Sequence, residues 1–246
     1  MSQEAPPLRN SPDPPDRLLS YDFVALTLAA AFGFCNIAVF YGLSAYLEKI
    51  GLDPAWRGAV IAAEPLAALL ARPALSLRLT PRRALDTARI SLAALGVALV
   101  CYQFASGIPA LIAVRLFHGL AFVCLVSAVT VLLTKVVTPR FAGRAFGLFS
   151  LSSLAPYAVM PPLMEWLLSR GGNEARAYAW TALLTLPALV MLLPLGRRLG
   201  RASFPDQDGW RPTIRSLREN LGHRPVALSW ERIFLSSRAS RRCIFS

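Results

Sequence analysis

Glu64, Arg115 and His118 are the residues whose types and positions point to chemistry, because each lies inside a long apolar run. A charged group in the middle of a membrane helix costs roughly 2.5 to 3.5 kcal/mol on insertion scales, so it usually faces a cavity or a partner. Glu64 lies about eight residues into its run and Arg115 about six into its own, each from the outer end, which at 1.5 Å per residue sets both roughly 9 to 12 Å below the outer membrane surface. They can therefore pair. Two readings follow. Either the two line a central cavity and take part in substrate or proton binding, or they form a structural ion pair that locks two helices, with the arginine snorkelling to headgroups. His118 is three residues beyond Arg115 on the same helix face. It is either a proton site or a hydrogen-bonding packing residue. Asn36, Tyr157 and Gln103 are further cavity candidates, each equally readable as a helix-packing group, and Arg72 sits where it can snorkel to the interface.

The elements that must position these groups follow from composition. The chain has 246 residues, of which 55% are hydrophobic and 16% charged, and its mean hydropathy is +0.48. That is too little polar surface for an ordinary soluble domain, and it implies an all-α integral membrane protein in the lipid bilayer. The net charge of +12 comes from arginines set mostly between apolar runs. Such spacing is topological, and it argues against nucleic acid as a partner. Cys35, Cys101 and Cys124 lie within apolar runs and Cys243 in the tail, with no metal-ligand spacing, so neither a metal nor a cofactor is expected.

Residues 1–21 read as a polar, proline-rich cytoplasmic leader without order of its own. Six runs long enough to cross a bilayer follow, at about 23–47, 56–77, 90–106, 109–134, 146–168 and 178–195. The connections at 78–89 and 135–144 are arginine-rich, as is the segment after Gly196, whereas the alternate ones are short and nearly balanced. Short basic loops stay in the cytoplasm, so both termini are expected there, in a multi-pass protein of the inner (plasma) membrane. The stretch 115–162 organises the chain: a helix with a buried arginine, a basic turn, then a helix containing Pro156, Pro161 and Pro162, which should bend it and free carbonyls. The run from Leu52 to Ala59 reads beside Val137 to Arg144, each with an Asp or Thr cap, a proline at the first helical position and a glycine four residues later. These turns fall at corresponding points of two three-span units on opposite membrane sides, as a 3+3 inverted repeat requires.

Arg115-Leu116-Phe117-His118-Gly119, the turn from Pro139 to Gly147, and Ala155-Pro156 resemble the N-terminal half of the major facilitator superfamily (MFS). His118 stands where the family usually has glutamine, and Ala155 where glycine precedes the proline. The resemblance covers 22–196 and implies half of an MFS fold: a secondary transporter moving a small-molecule substrate by alternating access, with protons as a coupling ion to be tested. It also implies gating roles for the basic turns, with Arg78, Arg82 and Arg83 in one and Arg140, Gly143 and Arg144 in the other. The first of these turns lacks the family's aspartate and both glycines, so charge placed only for topology is the alternative there.

The family has twelve spans, and the segment 197–246 resembles its central cytoplasmic loop, with eleven arginines and an amphipathic run at Ile214, Leu217 and Leu221. Val226 to Leu235 would lead into a seventh span, but Glu231 and Arg232 interrupt it. The expectation is a truncated or frameshifted product that lacks its C-terminal half as a partner, or that pairs with a second copy. A non-transporting fragment and a dimerising half are the rival readings. An intramembrane enzyme is a third class, but the sequence carries no H-E-x-x-H, no G-x-S-x-G, no paired intramembrane aspartates and no glycine-rich phosphate loop.

Overall fold

The computed structural model describes residues 19–170 and 173–199. The expectations for the leader before Leu19 and for the tail after Leu199, including its amphipathic run and the lead-in to a seventh span, lie outside the described residues. Among the described residues every regular element is helical, and six helices are long and apolar enough to cross a membrane.

The first span joins α1 (Tyr21–Ala38) through a 3-10 turn at Val39–Gly42 to α2 (Leu43–Lys49). Ser20 starts it, its hydroxyl accepting from the Phe23 amide, with Asp22 in the first turn where a helix N-terminus favours negative charge. The second span is α3 (Pro54–Arg78), the third α4 (Pro81–Cys101), the fourth α5 (Ile108–Val136) and the fifth α6 (Ala142–Ser169). The sixth is broken into α7 (Glu174–Thr181), a 3-10 turn, α8 (Thr185–Leu192) and the short α9 (Leu195–Leu199). Its apolar run is continuous in sequence, so hydropathy alone does not reveal the break.

Several boundaries differ from the sequence expectation. The basic connection expected at 78–89 shrinks to Leu79–Thr80, because Thr80 and Pro81 start a helix at once. Arg82 and Arg83 therefore stand in the first turn of α4 rather than in a loop. The third span also ends earlier, at Cys101, which leaves Gln103 exposed in the following turn and outside the membrane run. Gly143 and Arg144 likewise belong to the first turn of α6. Of the two matched turns, Asp53 does cap its helix, its carboxylate accepting from the Ala55 amide at 2.9 Å. Thr138 makes no such side-chain bond. The Phe141 amide that its hydroxyl would take already donates to the Thr138 carbonyl at 3.0 Å, closing a 3-10 turn.

Side chains pack into two clusters along the bundle. Phe23, Leu26, Leu92, Leu95, Leu125 and Leu192 fill the end that carries the arginine-rich turns. Phe40, Leu47, Leu99, Tyr102, Met160 and Tyr178 fill the other. Where lipid surrounds a bundle, close helix contact depends on small residues rather than on expulsion of water. Glycines serve here: Gly33 of α1 lies against Leu125, and Gly96 of α4 against Thr185.

Polar clamps close both ends. At the arginine-rich end, Arg198 pairs with Asp22 at 2.7 Å, and Arg89 donates to the Leu192 and Leu193 carbonyls at 2.9 and 3.0 Å. Those carbonyls lie at the end of α8, where helical partners run out. Tyr21 adds a bond to the Met191 carbonyl at 3.0 Å. At the opposite end, Lys49 pairs with Glu174 at 2.9 Å and Tyr41 donates to Glu165 at 3.3 Å. The second and fifth spans are peripheral: 11% of the residues in their apolar windows are buried, against 50% in the fourth.

A Cβ placed on Gly33 runs into the Leu125 side chain, whereas one on Gly42 meets nothing within 4 Å. Gly33→Val should therefore destabilise the bundle by about 1 to 3 kcal/mol, and Gly42→Ala should change it by less than about 0.5 kcal/mol. Denaturant unfolding of the purified protein in detergent micelles checks both values.

Candidate functional site

The site grows from a proline. Pro65 lies inside α3 and has no amide hydrogen to return to the carbonyl four residues earlier, that of Ile61. In a membrane interior no water can take that place. Arg115 of α5 does so, donating from one terminal nitrogen to the Ile61 carbonyl at 3.2 Å and to the Glu64 carboxylate at 3.4 Å. Both side chains are enclosed, Arg115 at 5% exposure and Glu64 at 12%. The guanidinium also lies 5.0 Å from the centroid of the Phe40 ring, so one side of its charge is held by an aromatic face. Its Nε is buried with no hydrogen-bond partner among the described residues.

The approach of α3 to α5 depends on Gly119. A Cβ at that position would run into the Glu64 carbonyl and its backbone neighbours. Without a side chain there, the two backbones come close enough for Arg115, one turn earlier, to reach across.

His118 is completely buried. Its Nδ1 lies 3.5 Å from the Tyr102 hydroxyl, its ring meets Phe40 edge-on at 5.3 Å, and its Nε2 has no partner among the described residues. Aromatic rings thus wall it in. Asn36 is also fully buried, with its amide donating to the Phe32 carbonyl at 2.7 Å and its Oδ1 left without a partner among the described residues. Tyr157 differs, being half exposed. Its ring sits 6.5 Å from Phe34, and Phe34 in turn stacks edge-on against Phe122 of α5 at 5.1 Å. Tyr157 thus packs through Phe34 toward the first and fourth spans.

The helix α6 is continuous through its prolines, of which Pro156 is buried and Pro162 exposed. The basic-turn residues Arg78, Arg82, Arg83, Arg140, Gly143 and Arg144 are all exposed at the arginine-rich end, with the Arg140 guanidinium 5.6 Å from the Phe141 ring. Reading the sequence missed Tyr102, Phe40 and the Ile61 carbonyl as parts of the site. A signal for the last was available: a proline four residues downstream within a membrane run leaves a carbonyl that needs a donor.

The amino-acid sequence of residues 23–240 matches the family model of the Major Facilitator Superfamily. The chain belongs to that superfamily. No curated protein matches the chain. The superfamily is one of membrane transporters, and six apolar helices make this member a multi-pass membrane protein. The Arg115–Gly119 run that resembles the family's fourth span is the stretch that supplies both the guanidinium and the glycine contact to α3.

Removing either charge of the buried pair strands the other. Arg115→Met and Glu64→Gln should each destabilise the fold, by on the order of 3 kcal/mol for the arginine change, which leaves a carboxylate unpaired. The double variant should lose less than the sum, with a coupling of at least about 1 kcal/mol in a double-mutant cycle read by denaturant unfolding in micelles. Gly119→Val should mimic Arg115→Met, because it separates the helices that the pair joins.

Proposed function

We propose that this superfamily member moves a small solute across the membrane by alternating access, with Glu64 and Arg115 supplying the polar wall of the pathway. The observation that carries the reading is the buried Glu64–Arg115 pair, set between the second and fourth spans. A carboxylate that can exchange its guanidinium partner for a proton or a solute group gives one site two competing ligands, which is what coupled transport needs. His118 and Asn36 stand behind this wall as buried polar support.

Two further parts belong to the proposal. The arginine-rich turns lie in the cytoplasm, by the preference of short basic loops for that side, and Arg82, Arg83, Arg140 and Arg144 act there on the conformational switch. A second six-span unit, from further chain or from another copy, faces the sparsely buried second and fifth spans and completes the pathway. Support for this comes from their exposed side chains, among them Leu66, Leu70, Leu151 and Tyr157. The solute is a small polar or charged molecule, since the wall offers both signs of charge.

One observation favours a second reading, in which the pair is structural. Arg115 is also bound to the Ile61 carbonyl that Pro65 frees, so it has a packing role whether or not solute reaches it. A single experiment separates the two. Cells expressing the protein are screened for uptake of labelled sugars, amino acids, organic anions and cationic drugs, and the responding solute is then measured in the variants. Glu64→Gln, present in the membrane at wild-type level, should lower uptake by roughly tenfold or more, the effect of losing one charge-assisted contact. It should also remove stimulation by an inward proton gradient. Uptake that is unchanged in Glu64→Gln assigns the pair to structure alone.

A further inference from the structure

Beyond the point where Gly119 meets Glu64, a cleft of about 390 Å³ opens between α3 and α5 toward the arginine-rich end. Arg72, Leu75 and Ser76 of α3 line one wall, and Phe122, Ser127 and Thr130 of α5 line the other. Arg72 is the one charged residue in this lining, and no acid faces it. It is exposed and forms no hydrogen bond or ion pair among the described residues. A guanidinium is donor-only and always charged, so the group it would take from a ligand is an oxygen anion.

The hydroxyls narrow the fit. Ser76 donates to the Pro73 carbonyl and Thr130 to the Val126 carbonyl, both at 2.8 Å, so their hydrogens are already used. Ser127 makes no hydrogen bond among the described residues. It is the free donor on the wall facing Arg72. The remaining lining is aliphatic or aromatic, which suits a hydrocarbon chain and not a fully hydrated ion. Arg72 stands six residues before Arg78, which is about 9 Å along the helix. An arginine at that depth holds its head toward the interface while its stem crosses apolar surface.

We propose that the cleft between α3 and α5 binds a carboxylate or phosphate group that carries an apolar chain, with Arg72 as its anchor and Ser127 as a second donor. This site is separate from the Glu64–Arg115 pair, since Arg72 lies eight residues from Glu64, about 12 Å along α3. The same chemistry is offered by an anionic membrane lipid and by a free amphiphilic acid.

The test uses the full chain, purified in a neutral detergent and examined by native mass spectrometry with three probes: dioleoyl phosphatidylglycerol, dodecanoate and dioleoyl phosphatidylcholine. The expected result is one anionic probe retained in preference to phosphatidylcholine, with retention roughly tenfold weaker in Arg72→Gln, as loss of a charge-assisted contact implies. Val126→Trp, which fills the cleft and leaves the charge in place, should weaken retention similarly. Circular dichroism and elution volume confirm that both variants are folded. Dependence on Arg72 with phosphatidylglycerol makes a membrane lipid the source, and dependence with dodecanoate alone makes it a soluble amphiphile. Wild-type retention of both anionic probes by either variant overturns the proposal.

Discussion

A backbone carbonyl without an amide partner cannot be left facing lipid, and the Ile61 carbonyl is such a group once Pro65 has removed its donor. Arg115 supplies the missing hydrogen. A guanidinium brought into the bilayer for this purpose must itself be neutralised, and Glu64, one residue before the proline, does it. Each group thus creates the need that the next one meets. Proline calls for a donor, the donor brings a charge, the charge calls for a carboxylate, and the whole set requires that α3 and α5 touch. Gly119 permits that contact, and the Phe40 ring lies against one side of the cation.

Polar side chains near the ends of the bundle take up further backbone carbonyls and charges. Arg89 takes up the last carbonyls of α8, Tyr21 takes another, and ion pairs at the two ends tie spans that are distant in the chain. Between these ends packing is apolar, with glycines at close crossings. Lipid-facing surface accounts for many of the exposed leucines, whereas Arg72 and half-exposed Tyr157 add polar groups to it.

Six spans are legible in the sequence because a bilayer sets one length for each, and apolar runs of that length are few. The facing of Glu64 by Arg115 is legible too, since equal depth in adjacent spans follows from counting residues. What escapes is decided by local competition. At Thr80 a helix-starting proline overrides the expectation that arginines mark a loop, so Arg82 and Arg83 fall on α4. At Thr138 a 3-10 turn uses the amide that a capping hydroxyl would have taken. Gln103 and Tyr102 are neighbours in sequence, and hydropathy cannot tell which of them turns inward. The buried one is the tyrosine, because it has His118 and Phe40 to pack against.

The pairing of Asp22 with Arg198 has a topological consequence. The first and last described helices start and finish at one corner, joined side chain to side chain. A short peptide bridging that corner would turn the six spans into a closed ring of chain. Such a ring could be reopened at a turn on the far side, such as Gly51–Asp53, without cutting any helix. Opening there would give up the Asp53 cap of α3 and the bond from Arg57 to the Leu52 carbonyl, so those local contacts, rather than the helix-to-helix packing, are what the present threading adds.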